Sequence, residues 1–71
     1  MKTIKIHSEF ITLGQFLKFA GIVSDGNEAK MVINDGLCKV NNQVETRRGK
    51  KLYKNDQVEF NNEKYLIDED K

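Results

Sequence analysis

His7 and Cys38 are the only side chains in this 71-residue chain suited to act as a conventional base or a thiol nucleophile near neutral pH, and they stand far apart. Nothing in their spacing makes a catalytic pair. Their ordinary roles are a surface histidine and a core cysteine. The acids show no paired arrangement for proton transfer, there is no glycine-rich loop to cradle a phosphate, and no metal-ligand spacing occurs. No catalytic residue, metal or cofactor is expected.

The chemistry the sequence does offer is cationic. Residues 39 to 54 carry Lys39, Arg47, Arg48, Lys50, Lys51 and Lys54 against Glu45 alone, a block of +5 inside a chain whose net charge is +1. Arginine forks match phosphate oxygens two at a time, lysine acts as a point charge, and Gly49 lets a sugar-phosphate strand approach the backbone closely. A run of surface lysines is more often simply solvated, so composition alone does not decide the matter. Lys30, with Asn27 and Asn34, extends the cationic surface or else marks an ordinary polar helix face, and Lys18 is a weaker candidate still. Tyr53 stands between cations, where stacking on an unpaired base competes with the commoner role of anchoring a strand end.

The charge is polarised along the chain. Residues 1 to 38 balance four lysines against four acids, and residues 55 to 71 carry six acids against Lys64 and Lys71. A chain this short is expected to be one domain over residues 1 to 71 with a compact core, and a monomer. A lone cysteine forms no internal disulfide. No apolar run approaches the roughly 18 residues of a membrane span, and the start MKTIKIHSEF lacks a long apolar stretch. These features fit a soluble chain in a reducing cytoplasm.

The elements that would position the cations can be read from periodicity. Lys2 to His7 alternates, with Ile4 and Ile6 inward, as a half-buried strand does. Thr12 and Gln15 form a capping-box signature, Leu13, Phe16, Leu17 and Ala20 fall on one helical stripe, and Gly21 suits the helix end. Ser24 or Asp25 caps a second helix with Ala29, Val32 and Ile33 buried, and Gly36 ends it. From Leu37 the period becomes two: Cys38 and Val40, Val44, Val58 and Phe60, then Tyr65 with Ile67 or Leu66. Asn41-Asn42 and Asn61-Asn62 mark tight hairpin turns, and Asn55-Asp56 a third, because asparagine tolerates positive φ. Phe10, Phe16, Phe19 and Phe60 are assigned to the core, and the last acidic residues are expected to fray. The class is α+β: a two-helix hairpin on antiparallel strands.

The segments SDGNEAKMVINDGLCKVNN, residues 24 to 42, and QVETRRGKKL, residues 43 to 52, resemble the RNA-binding domain named after small-subunit ribosomal protein four, also called the alpha-L motif. Ser24, Ala29, Val32, Ile33, Gly36, Val40 and Asn41 match its pattern. The resemblance covers residues 12 to 60 and is strongest to short stand-alone bacterial members of the YaaA type. It implies two helices, with a third short one left open, packed on a small bent antiparallel sheet. It also implies RNA contact through Lys30, Lys39, Asn41, Arg47, Arg48, Lys50 and Lys51. Asp25 departs from the pattern, since many members have arginine directly after the serine, and this weakens the second helix as a phosphate anchor. Asn42 and Asn55 replace the usual glycines but keep access to positive φ.

The expected function is non-enzymatic recognition of structured RNA by shape and phosphate contacts. Ribosomal RNA or a ribosomal particle is the expected partner, with assembly of the large subunit as its setting. Two other classes compete. One is a protein-interaction module docking the polarised surface on an acidic partner. The other is a helix-turn-helix DNA binder, which the weakly basic second helix disfavours.

Overall fold

The computed structural model describes residues 1–70, so Lys71 lies outside the described residues. In chain order the elements are β1 (Lys2–Ile6), β2 (Ile11–Thr12), α1 (Leu13–Phe19), α2 (Gly26–Asn34), β3 (Cys38–Val40), β4 (Gln43–Val44), β5 (Lys51–Leu52), β6 (Gln57–Phe60) and β7 (Glu63–Glu69). Two helices are present among the described residues, and no third short one. Five strands make one sheet in the order β1-β7-β6-β3-β4, while β2 and β5 form a separate ribbon.

Both helices begin and end for the reasons legible in their residues. Thr12 accepts the Gln15 amide at 3.4 Å and the Gln15 side chain accepts the Thr12 amide at 3.2 Å, closing the capping box of α1. Asp25 is the N-cap of α2, its carboxylate accepting from the Glu28 amide at 2.9 Å, while Glu28 reaches back to the Ser24 amide at 2.7 Å. Each helix closes in a Schellman turn: Ile22 N donates to Leu17 O, and Leu37 N to Val32 O. Gly21 and Gly36 supply the positive φ, 74° and 75°, that this turn requires.

The hairpin turns follow the asparagines. Asn41 and Asn42 have φ of 51° and 71°, Asn61 and Asn62 of 54° and 66°, and Asn55 of 77°. Two-residue turns of this kind twist with the flanking strands and fix their register. Val40 therefore faces Gln43, and Lys39 faces Val44. Residues paired across a ladder share a face, so Val44 lies with Lys39 on the outer side and is 55% exposed, against the expectation that it points inward.

One sheet face carries Cys38, Val40, Val58, Tyr65 and Ile67, all buried against Phe16, Leu17 and Ile33 of the helices. Of the two candidates beside Tyr65, Ile67 is the one buried. Two phenylalanines depart from the core assignment. Phe19 falls off the α1 stripe and is 53% exposed, and Phe10 is only half-buried. The sheet is mixed rather than wholly antiparallel, because β1 runs parallel to β7 with Ile4 opposite Ile67. That pairing also holds the acidic end, expected to fray: Asp68 and Glu69 pair with Lys5 and Ile6, and the Asp70 amide donates to Ile6 O at 2.9 Å.

Candidate nucleic-acid interface

The ribbon of β2 and β5 ties the basic block to the helices. Ile11 pairs with Leu52 and Thr12 with Lys51. The contact continues past the strands, where Leu13 N donates to Lys50 O at 2.8 Å and Gly14 N to Arg48 O at 3.0 Å. The first amides of a helix lack intrahelical acceptors, and here two of them in α1 are satisfied by the basic loop itself. Residues 47 to 50 form a turn closed by Lys50 N to Arg47 O at 3.2 Å. The loop is thereby fixed against the start of α1.

Arg48 runs over Gly14. A Cβ at position 14 would come within 2.8 Å of Arg48 Cγ, so only glycine lets the arginine stem lie this close. The result is an open groove of about 320 Å³ lined by Thr12, Gly14, Gln15, Lys18, Gly26, Ala29, Arg48 and Gly49. It joins α1, the start of α2 and the tip of the basic loop. Lys30 lies one turn along α2 from Gly26, on a neighbouring part of the same surface and exposed.

The remaining cations do not all converge there. Arg47 turns back on Glu45: its Nε and Nη2 donate to the two carboxylate oxygens at 3.0 and 3.2 Å, and its amide donates to Oε2 at 3.0 Å. The Glu45 side chain is only 14% exposed while that of Arg47 is 73% exposed. The hydrogen bond from Arg47 holds the Glu45 carboxyl below its ordinary value, and Glu45 in turn raises the guanidinium. Arg47 thus has part of its charge answered within the loop.

Lys39 stands on the sheet face turned away from the helices, opposite Glu59 and Val44. Asn41 is engaged internally as well. Its Nδ2 donates to Asp56 Oδ1 at 3.1 Å and its Oδ1 accepts from Gln57 N at 2.9 Å, tying the β3–β4 turn to the turn before β6. The seven candidates therefore do not make a single patch. Arg48, Lys50, Lys51 and Lys30 belong with the helices and the ribbon, Lys39 lies apart, and Asn41 and Arg47 already hold protein partners.

Gly14 and Gln15, which line the groove, were legible only as helix-start chemistry, and Lys18 carried only a weak signal. The sequence marks Ala29 as a buried helix position and Gly26 as part of a turn, with no sign of a groove at either. The acidic block stays clear of the groove in the ion pairs seen: Glu63 meets Lys2 at 3.3 Å and Asp70 meets His7 at 3.4 Å. Cys38 is fully buried, and burial pushes its thiol up to about 11. Among the described residues no group of three or more His, Cys, Asp or Glu side chains is placed to hold a metal ion. No helix among them is long and apolar enough to cross a membrane.

A two-helix hairpin on a small mixed sheet, with a basic loop locked to the first helix, is an α+β architecture of the kind the motif implied. The S4 domain family pattern matches residues 4–68, and the chain belongs to that family of RNA-binding domains. It is similar to the probable ribosome maturation protein RlbA of Bacillus subtilis (strain 168), with 46% identity over 57 residues that make up 80% of each protein. Among solved structures it is similar to the 30S ribosomal protein S4e of Thermoplasma acidophilum, with a TM-score of 0.63 and 22% identity. That match covers 83% of this chain but only 31% of the archaeal protein, and it shows a shared fold.

Proposed function

We propose that this chain is a non-enzymatic RNA-binding protein that recognises structured ribosomal RNA by the spacing of its phosphates and acts in maturation of the ribosome, most concretely of the large subunit. The observation that carries the reading is the groove under Arg48, where the basic loop, tied to α1 by backbone hydrogen bonds from Leu13 and Gly14, meets the start of α2. Fixed cations on a rigid scaffold suit a polyanion of fixed shape, since little ordering remains to be done on binding. Arg48, Lys50, Lys51 and Lys30 are the proposed phosphate contacts, joined by Lys18 from the groove wall. Lys39 and Asn41 have lesser claims, and Arg47 contributes the part of its charge that Glu45 leaves unmatched.

The ribosomal assignment is supported by similarity to a protein named for ribosome maturation. The start of α2 adds little attraction for an anion, because Asp25 already caps it and Glu28 lies in its first turn. A domain of net charge +1 also has modest long-range pull, so the reading requires a pre-folded RNA site rather than loose strands. Crosslinking the protein in living cells and sequencing the attached nucleic acid tests it. Enrichment of one segment of large-subunit ribosomal RNA is expected; binding that survives ribonuclease treatment, with no RNA enriched, would favour a protein partner instead.

A further inference from the structure

The basic ribbon ends in an aromatic pair that the phosphate reading does not use. Past the Ile11–Leu52 step of the β2–β5 ladder come Phe10 and Tyr53, with ring centroids 5.9 Å apart and planes tilted by 48°. Lys51 Nζ lies 4.8 Å from the centre of the Phe10 ring. Lys51 in β5 and Tyr53 just after it are both exposed and both lie against Phe10, while Leu52 between them is fully buried. Tyr53 is held from below: its amide donates to Asp56 Oδ2 at 2.7 Å and its carbonyl accepts from the Asp56 amide at 3.0 Å.

Tyr53 as a whole remains 43% exposed, and among the described residues nothing hydrogen-bonds its hydroxyl. A tyrosine serving only to anchor the strand end would be expected to bury more of its ring. Here Phe10 takes the anchoring position, half-buried and capped by the lysine, and Tyr53 leans on it with its own ring presented to solvent. An exposed ring and a cation that share one supporting aromatic, the ring at 5.9 Å and the ammonium at 4.8 Å from Phe10, are placed to meet a base and a neighbouring backbone phosphate together.

We propose that Tyr53, braced by Phe10, is a stacking platform for one unpaired RNA base, and that Lys51 meets the phosphate beside it. The inference rests on the RNA-binding reading and sharpens it: the preferred ligand is a helical RNA with a bulged or looped-out nucleotide, not an uninterrupted duplex. Phosphate contacts by themselves do not distinguish those two RNAs, whereas stacking requires a base free of its own helix.

Three RNA hairpins test this: one fully paired, one with a single bulged adenosine, and one with an abasic nucleotide at the bulge. The protein has no tryptophan and two tyrosines, and Tyr65 is buried, so quenching of tyrosine fluorescence reports on Tyr53. Binding of the bulged hairpin is expected to be about five-fold or more tighter than of the other two, with quenching. Tyr53→Phe should retain the preference, and Tyr53→Ala, measured below its thermal midpoint where it is fully folded, should abolish it while leaving affinity for the paired hairpin nearly unchanged. Equal binding of all three hairpins by the wild-type protein, or a preference that survives in Tyr53→Ala, would overturn the stacking site while leaving phosphate binding intact. Failure to bind any of them would overturn the RNA reading and this inference with it.

Discussion

Gly14 lies directly beneath Arg48, its amide donating to the Arg48 carbonyl at 3.0 Å and its missing side chain leaving room for the arginine stem. A methyl group at position 14 would meet Arg48 Cγ at 2.8 Å, close to the backbone where the arginine has little freedom to swing aside. Overpacking of this kind typically costs about 1–3 kcal/mol, and alanine recovers about 1 kcal/mol through helix propensity. Gly14→Ala is expected to lose about 1 kcal/mol in urea unfolding and several-fold in RNA affinity. Unchanged affinity would separate the glycine from the function of Arg48.

Glu45 and Arg47 make a pair whose two effects can be read independently. Because Arg47 lowers the folded-state pKa of Glu45, the pair stabilises the protein above the unfolded carboxyl value of 4.5, and that contribution disappears as pH falls through the lower folded value. Glu45→Gln should therefore be less stable than the parent near neutral pH, with the difference closing in acid. Chemical unfolding of both proteins from pH 7 to pH 3 measures this. The same substitution frees Arg47, and the RNA salt slope should steepen by up to about 0.9.

Asn41 is expected to behave as a structural residue. Asn41→Ala removes two side-chain hydrogen bonds and leaves a β-carbon at φ 51°, a combined destabilisation of about 2–3 kcal/mol. Asn41→Gly keeps the turn and should recover about 1 kcal/mol of it. Thermal melts rank the three proteins. RNA affinity, measured where all remain folded, should stay the same; weaker binding by both variants would return Asn41 to the interface.

Cys38 provides an internal check on the core. Fully buried, with its thiol near 11, it should react with an aromatic disulfide reagent at pH 8 at least about 100-fold more slowly in the native protein than in urea. Rapid native labelling would mean that the β3 region opens readily.

Local signals made much of this fold legible. The Thr12–Gln15 capping box, the Asp25 cap, the glycine helix ends and the asparagine turns each depend on residues within a few positions of one another, and the structure contains them all. Most of what is not legible is decided by partners distant in sequence. The two-residue strands β2 and β5 are too short to show a period, and the parallel join of β1 to β7 closes the chain end to end. The cationic block was visible as composition, but its division was not. Whether a cation faces the helices depends on ladder register, which sends Lys39 outward, and on an acid within reach, which turns Arg47 toward Glu45.

The salt dependence of binding to a folded ribosomal RNA fragment reaches the central claim most directly, comparing the parent with Arg48→Ala and with Lys39→Ala. Removing Arg48 should weaken binding and flatten the plot of log affinity against log salt by roughly 0.7–0.9 for each phosphate that the arginine neutralises, with Lys39→Ala leaving the slope nearly as it was. An unaltered slope in Arg48→Ala would contradict the assignment of the groove as the phosphate-binding surface.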